Sequence, residues 1–161
     1  MARRTIDFPT LIEALCRHEV EFIVVGGVSA VLQGAPLATF DLDLVHSRTA
    51  ENVRRLIGAL REMDARDRDA ARRRFDPTGR LLSGEGHHLL MTAHGPLDLL
   101  GRIGREETYD TLVSQSIEVE LGARRVRVLD LEALIRIKEE VGQEKDRPVL
   151  PILKRLLEER G

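Results

Sequence analysis

Val24-Val25-Gly26-Gly27-Val28-Ser29, with Thr39-Phe40-Asp41-Leu42-Asp43-Leu44 shortly after it, joins a paired-glycine turn to two carboxylates spaced for one face of a β-strand. Glu21 to Val25 is a short apolar, β-branched run that predicts a buried strand, and Val28 to Gln33 predicts the start of a helix. Gly26-Gly27 is then the bend between them. Two residues without Cβ let the backbone turn sharply and let a ligand approach the peptide N–H groups, while the following helix offers its positive end to an anion. Phosphate suits such a turn, although a Gly-Gly pair alone is more often a plain tight bend.

Side chains alternate along extended chain, so Asp41 and Asp43 project together while Phe40, Leu42 and Leu44 point the other way, into a core. A rise of ~3.3 Å per residue puts the two carboxylates about 7 Å apart, a span suited to metal ions lying ~3.5–4 Å from one another. Without a cation they would repel. D-x-D alone also fits a solvated edge strand with its acids on the wet side. Strand, Gly-Gly, helix and then a D-x-D strand is a much rarer combination. Hard divalent cations such as Mg²⁺ take oxygen ligands, so a metal site calls for a third acid. Asp98 is the best candidate, in the apolar run Pro96-Leu97-Asp98-Leu99-Leu100 that follows the strand-like His88-Leu89-Leu90-Met91-Thr92. A charge among leucines is expensive to bury unless it is paired, and the partner is either a metal or an arginine, unless Asp98 faces water.

These residues resemble the nucleotidyltransferase superfamily with the polymerase-β-like fold. More narrowly, they resemble the small prokaryotic nucleotidyltransferase-like proteins that include components of toxin–antitoxin and abortive-infection systems. The likeness begins in the amphipathic segment Phe8 to His18 and runs through Gly26, Gly27, Ser29, Gly34 and Thr39 to Asp41 and Asp43. It continues through Asp98 to the segment Val126 to Lys138, which looks like a strand leading into a lysine-bearing helix, and on to Lys145-Asp146. The resemblance implies an α/β (α+β) fold, a mixed β-sheet flanked by helices. It implies a single domain over 1–161, with a core over about 8–141 and a short helical C-terminal appendage over about 148–160.

The activity implied is metal-dependent transfer of a nucleoside monophosphate from an NTP to an acceptor hydroxyl on RNA, protein or a small molecule, with release of pyrophosphate. In that scheme Asp41 and Asp43 hold two Mg²⁺ ions, with Mn²⁺ as a substitute, and Asp98 completes one ion's shell and helps to deprotonate the acceptor. Gly26, Gly27 and Ser29 cradle the phosphates, Thr39 belongs to the nucleotide-binding set, and Lys138 neutralises triphosphate charge. Three features depart from the pattern, one being that the acid expected a few residues after Lys145-Asp146 is absent from Arg147-Pro148-Val149-Leu150. The arginine that many relatives carry before Thr-x-Asp-x-Asp is replaced by Pro36-Leu37-Ala38, and the arginine before Lys-Asp is Gln143. The rival reading is a catalytically degenerate module that keeps the fold and the acids but acts as an antitoxin-like partner or nucleotide sensor.

Composition fits an intracellular domain. At 161 residues, 42% hydrophobic and with a net charge of −2, the chain is long enough for one substantial core. No apolar run approaches the ~20 residues of a membrane span, and no charged-then-apolar leader opens the chain. Cys16 has no second cysteine to pair with, as expected of a reducing cytoplasm. Helices are predicted over Pro9 to His18, Ala50 to Met63 and Leu131 to Val141, the last with Asp130 as its cap. A hairpin is predicted around Gly122-Ala123. A terminal helix from Pro148 carries a stripe of Val149, Ile152, Leu153, Leu156 and Leu157 that closes the core or forms a homodimer. Arg61 to Gly86, with Arg72-Arg73-Arg74, reads as a charged helix end and a loop, either a solvated surface or a hold for an RNA or protein acceptor.

Two other chemistries fit less well. Gly27-Val28-Ser29-Ala30-Val31 misses the second glycine of the G-x-S-x-G nucleophile turn. His87, His88 and His94 have neither a cysteine cluster nor a common strand face with which to bind zinc.

Overall fold

The computed structural model describes residues 6–68 and 78–160. The Arg72-Arg73-Arg74 run of the sequence expectation lies outside them. Helix α1 (Phe8–Arg17) starts where Asp7 accepts the Thr10 backbone N–H at 3.2 Å, and it buries Leu11, Ile12, Ala14 and Leu15. Strand β1 (Phe22–Val25) runs directly into helix α2 (Gly26–Leu32). Strand β2 (Leu42–His46) is followed by helix α3 (Ala50–Glu62), capped by the Thr49 hydroxyl. Then come the two-residue β3 (Arg66–Asp67), the short helix α4 (Gly79–Leu82), β4 (His87–Thr92) and β5 (Gly95–Leu100). A single turn of helix, α5 (Tyr109–Leu112), leads to the hairpin β6 (Ser116–Leu121) and β7 (Arg124–Leu129). The chain ends in α6 (Leu131–Val141) and α7 (Leu150–Arg160).

These strands form one mixed seven-stranded sheet in the order β3-β4-β5-β2-β1-β7-β6. β1 lies antiparallel to β2 and parallel to β7, while β2 is parallel to β5. One face packs Val24, Leu42, Leu44, Leu97 and Leu99 against α1 and α3 through Leu11, Leu15, Leu56 and Leu60. The other packs Ile23, Val25, Val45 and Leu129 against α2, α6 and α7 through Ala30, Leu134, Ile137 and Leu153. The mixed α/β architecture expected from the sequence is therefore the one observed.

Four local expectations are corrected. Phe40 is 48% exposed rather than in the core, because β2 begins only at Leu42 and the strand alternation does not extend back to it. Helix α2 starts at Gly26 rather than Val28, so the glycines form its first turn. Asp130 occupies the N-cap position of α6 but makes no capping hydrogen bond, and α7 starts two residues beyond Pro148.

Candidate active site

Sheet register brings the acids together. Val25, the last residue of β1, pairs with Asp43 on β2, and Asp43 pairs with Asp98 on the parallel strand β5. Residues paired across neighbouring strands project to the same face, so Asp43 and Asp98 stand side by side. Asp41 sits just before β2 and turns its carboxylate to the same place. Each of the three offers an oxygen within 4.8 Å of the others, and among the described residues this is the group able to hold a metal ion.

The glycines make room for this cluster. Gly26 has φ +66°, and a Cβ there would stand 2.6 Å from Asp43 Oδ2. A Cβ on Gly27 would stand 2.8 Å from Thr39 Cγ2. The Gly-Gly turn therefore lets Asp43 and Thr39 close against the start of α2, whose backbone N–H groups open on the same space.

Asp43 is the strained member. Burial, with Asp41 beside it, pushes its carboxyl up from 3.8 to about 7, against the pull of Lys145, Lys138 and Arg68. Its Oδ1, like Asp98 Oδ1, is buried without a hydrogen-bond partner among the described residues. An orphaned carboxylate oxygen beside two further acids suits a divalent cation, and an all-oxygen donor set suits Mg²⁺ or Mn²⁺. The residues present fit a bound metal.

Asp98 is 8% exposed and pairs through Oδ1 with Arg68 Nη2. Arg68 Nη1 lies 3.9 Å from Asp41 Oδ2, so one guanidinium faces two of the three acids. Sequence reasoning raised an arginine as a partner for Asp98 but not which one. Arg68 is placed by its N–H donating to Leu89 O at 3.0 Å, and Leu89 pairs with Asp98 across β4 and β5.

The acids open into a cavity of about 590 Å³ lined by Gly26, Gly27, Thr39, Asp41, Asp43, Asp98, Lys138, Gln143 and Lys145, with Leu134, Ile137, Val141 and Val149 as an apolar wall. Lys138 Nζ donates to Asp146 Oδ1 at 2.8 Å, so α6 and the turn after it hold each other. His87 and Arg102 line the same cavity near β4 and β5. Of the residues expected here, Ser29 is absent from the lining. It is fully buried one turn into α2, and its Oγ donates to Leu129 O at 2.9 Å, tying the helix to β7.

This mixed sheet, with its Gly-Gly helix start against aspartates paired on adjacent strands, has the fold of solved nucleotidyltransferases, the polymerase-β-like fold. Solved structures agree. The lincosamide antibiotic adenylyltransferase LnuA, in its lincomycin-bound crystal structure, superposes with a TM-score of 0.65 at 14% identity, over 95% of this chain and 99% of that one. The enzyme ANT(2'')-Ia, in complex with adenylyl-2''-tobramycin, superposes at 0.60 and 16% identity, over 93% and 89% of the two chains. A Thermotoga maritima protein provisionally described as a nucleotidyltransferase superposes at 0.59 and 19% identity, over 94% and 91%. No family model and no curated protein sequence matches the chain.

Proposed function

We propose that this protein is a metal-dependent nucleotidyltransferase that moves a nucleoside monophosphate from an NTP to an acceptor hydroxyl. The observation that carries this reading is the meeting of Asp41, Asp43 and Asp98 within 4.8 Å of one another beside the Gly26-Gly27 turn. Asp41, Asp43 and Asp98 would hold Mg²⁺ or Mn²⁺, which supplies positive charge to the attacking and leaving oxygens of an in-line displacement. Backbone N–H groups at the start of α2 receive the triphosphate. Lys138 and Lys145, across the same cavity, offset its charge, and Lys138 is held in place by Asp146. The apolar wall of Leu134, Ile137, Val141 and Val149 offers a surface for the base.

Asp98, on the strand that pairs with β4, would take the acceptor's hydroxyl proton. The acceptor oxygen bonds to the α-phosphorus as the bond from that phosphorus to the bridging oxygen breaks, and pyrophosphate leaves. Two of the structural neighbours carry antibiotics or an adenylylated antibiotic, which favours a small hydroxyl-bearing acceptor over RNA or protein. Among the described residues no helix is long and apolar enough to cross a membrane.

One observation favours a second reading. The Arg68 guanidinium sits among the acids, as it would in a domain that has stopped binding metal and acts as a sensor or as the partner of a toxin–antitoxin pair. Calorimetric titration of the protein with each of the four NTPs, in Mg²⁺ and in EDTA, separates the two. Metal-dependent binding of an NTP is expected. Absence of binding to any NTP by folded protein would move the assignment to the degenerate domain.

A further inference from the structure

We propose that Arg68 is a built-in counter-ion of the acid triad, which a divalent cation displaces when it binds. The inference rests on the metal-site reading above and adds an order to it: the nucleotide-free site is already neutralised in part, and the metal must compete for its ligands.

The geometry makes the competition direct. Arg68 Nη2 holds Asp98 Oδ1, and Nη1 faces Asp41 Oδ2 at 3.9 Å. These carboxylates are the ones that gather to offer metal ligands. A guanidinium and a divalent cation cannot share that space, since like charges a few ångströms apart in a partly dry site repel strongly. The arginine side chain is 28% exposed, so it has solvent beside it into which it can swing without being left buried and unpaired. Its backbone lies at the edge of the sheet, tied to β4 by the N–H that donates to Leu89 O. Arg68 directly follows β3, a two-residue strand at the edge of the sheet, which among the described residues pairs with β4 alone.

Asp43 responds differently. Asp41 and Asp98 face the arginine, Asp98 Oδ1 as an ion pair without a hydrogen bond, whereas Asp43 Oδ1 is buried with no hydrogen-bond partner among the described residues. The guanidinium thus covers two acids and leaves the third for a cation to satisfy. An NTP arriving with its metal supplies further oxygen ligands to the ion and offers phosphate oxygens to the released guanidinium, for which a planar fork is well suited. Metal and nucleotide therefore favour each other's binding, and by linkage that favour is mutual. Free cation alone binds weakly.

The test is Mn²⁺ binding to the nucleotide-free full-length chain, followed by calorimetry and by the electron paramagnetic resonance signal of free Mn²⁺. Wild type, Arg68→Ala and Arg68→Lys are compared, with circular dichroism melts in EDTA to establish folding. Arg68→Ala is expected to bind Mn²⁺ about tenfold more tightly than wild type, the size expected when a partly buried competing ion pair is removed. Arg68→Lys, which keeps the charge but loses the fork, should tighten binding by about threefold. In EDTA the Arg68→Ala protein should melt below wild type, and saturating Mn²⁺ should close that gap.

Saturable Mn²⁺ binding that is equal or weaker in Arg68→Ala overturns the displacement while leaving the metal site standing. No Mn²⁺ binding by any of the three folded proteins overturns both. Should Arg68→Ala fail to fold, the lysine variant decides: unchanged affinity refutes the proposal and tighter affinity supports it.

Discussion

Replacing Asp43 with Asn should stabilise the metal-free protein at neutral and alkaline pH while ending metal-dependent nucleotide binding. In the folded protein the Asp43 carboxyl is raised from 3.8 to about 7 by burial and by Asp41. The folded state therefore holds this proton more tightly than the unfolded chain does. Its stabilising contribution is fully present below pH 4 and is lost progressively as the pH rises to about 7. Ionised Asp43 costs the folded state on the order of 4 kcal/mol above that point, taken at ~1.4 kcal/mol for each tenfold change in proton affinity. Relaxation of neighbouring charges, and adjustment of an amide among carboxylates, reduce the expected gain from Asp43→Asn to about 1–3 kcal/mol. That is roughly 2–10 °C in Tm for a domain of this size.

The assay is a series of thermal melts in EDTA from pH 4 to pH 8.5. The difference between variant and wild type should be small near pH 4, grow through pH 5 and 6, and level off above about 7. Titration with NTP and Mg²⁺ at pH 8 should show binding by wild type alone. A variant that melts at or below wild type at pH 8, or a difference that does not change with pH, would refute the claim that Asp43 is held against its own charge.

Gly26→Ala combines a backbone at φ +66° with a Cβ 2.6 Å from Asp43 Oδ2, so it should lower stability by about 1–3 kcal/mol and displace the carboxylate. Melts and NTP calorimetry check both effects, and wild-type stability with wild-type binding would show that the close approach is unimportant. Ser29→Ala removes the hydroxyl bound to Leu129 O at 2.9 Å and should cost about 1 kcal/mol of stability. Its NTP affinity should stay within about twofold of wild type; a loss of tenfold or more without a stability change would return Ser29 to the phosphate site.

The parts of this fold that were legible in the sequence are those set by local spacing. The hairpin around Gly122 and helix α6 depend on residues close together in the chain and appear where their patterns put them, whereas the Gly-Gly pair, expected as a bend ahead of its helix, forms the first turn of α2. Asp98 was legible because an acid flanked by leucines on both sides needs a reason. Phe40 was misplaced because alternation holds only while a strand has partners. β1 reaches no further than Val25, opposite Asp43, and β5 pairs no earlier on β2 than Leu42, so Phe40 lies beyond the pleat. The phosphate role of Ser29 came from the family resemblance alone, with nothing in the sequence to show which way the hydroxyl faces. Starting at Gly26, α2 carries Ser29 round to face β7. Arg68 could not be placed because its position depends on how a two-residue strand pairs with β4, and such a pairing leaves little trace in sequence.

The same pairings explain why the acids stay together. Asp43 and Asp98 are fixed side by side by backbone hydrogen bonds between β2 and β5, with Leu42, Leu44, Leu97 and Leu99 locked into the core behind them. The strands cannot separate to relieve the repulsion without opening that core. The negative charge must therefore be met by cations in place. Arg68 meets Asp98 and stands near Asp41, Lys138 is engaged with Asp146, and Asp43 keeps an oxygen without a hydrogen bond. A cluster evolved only for stability would be expected to close each carboxylate with its own donor. This one leaves Asp43 Oδ1, beside the Gly26 backbone, and Asp98 Oδ1 without a hydrogen bond among the described residues, which is where an incoming phosphate and its cation would complete it.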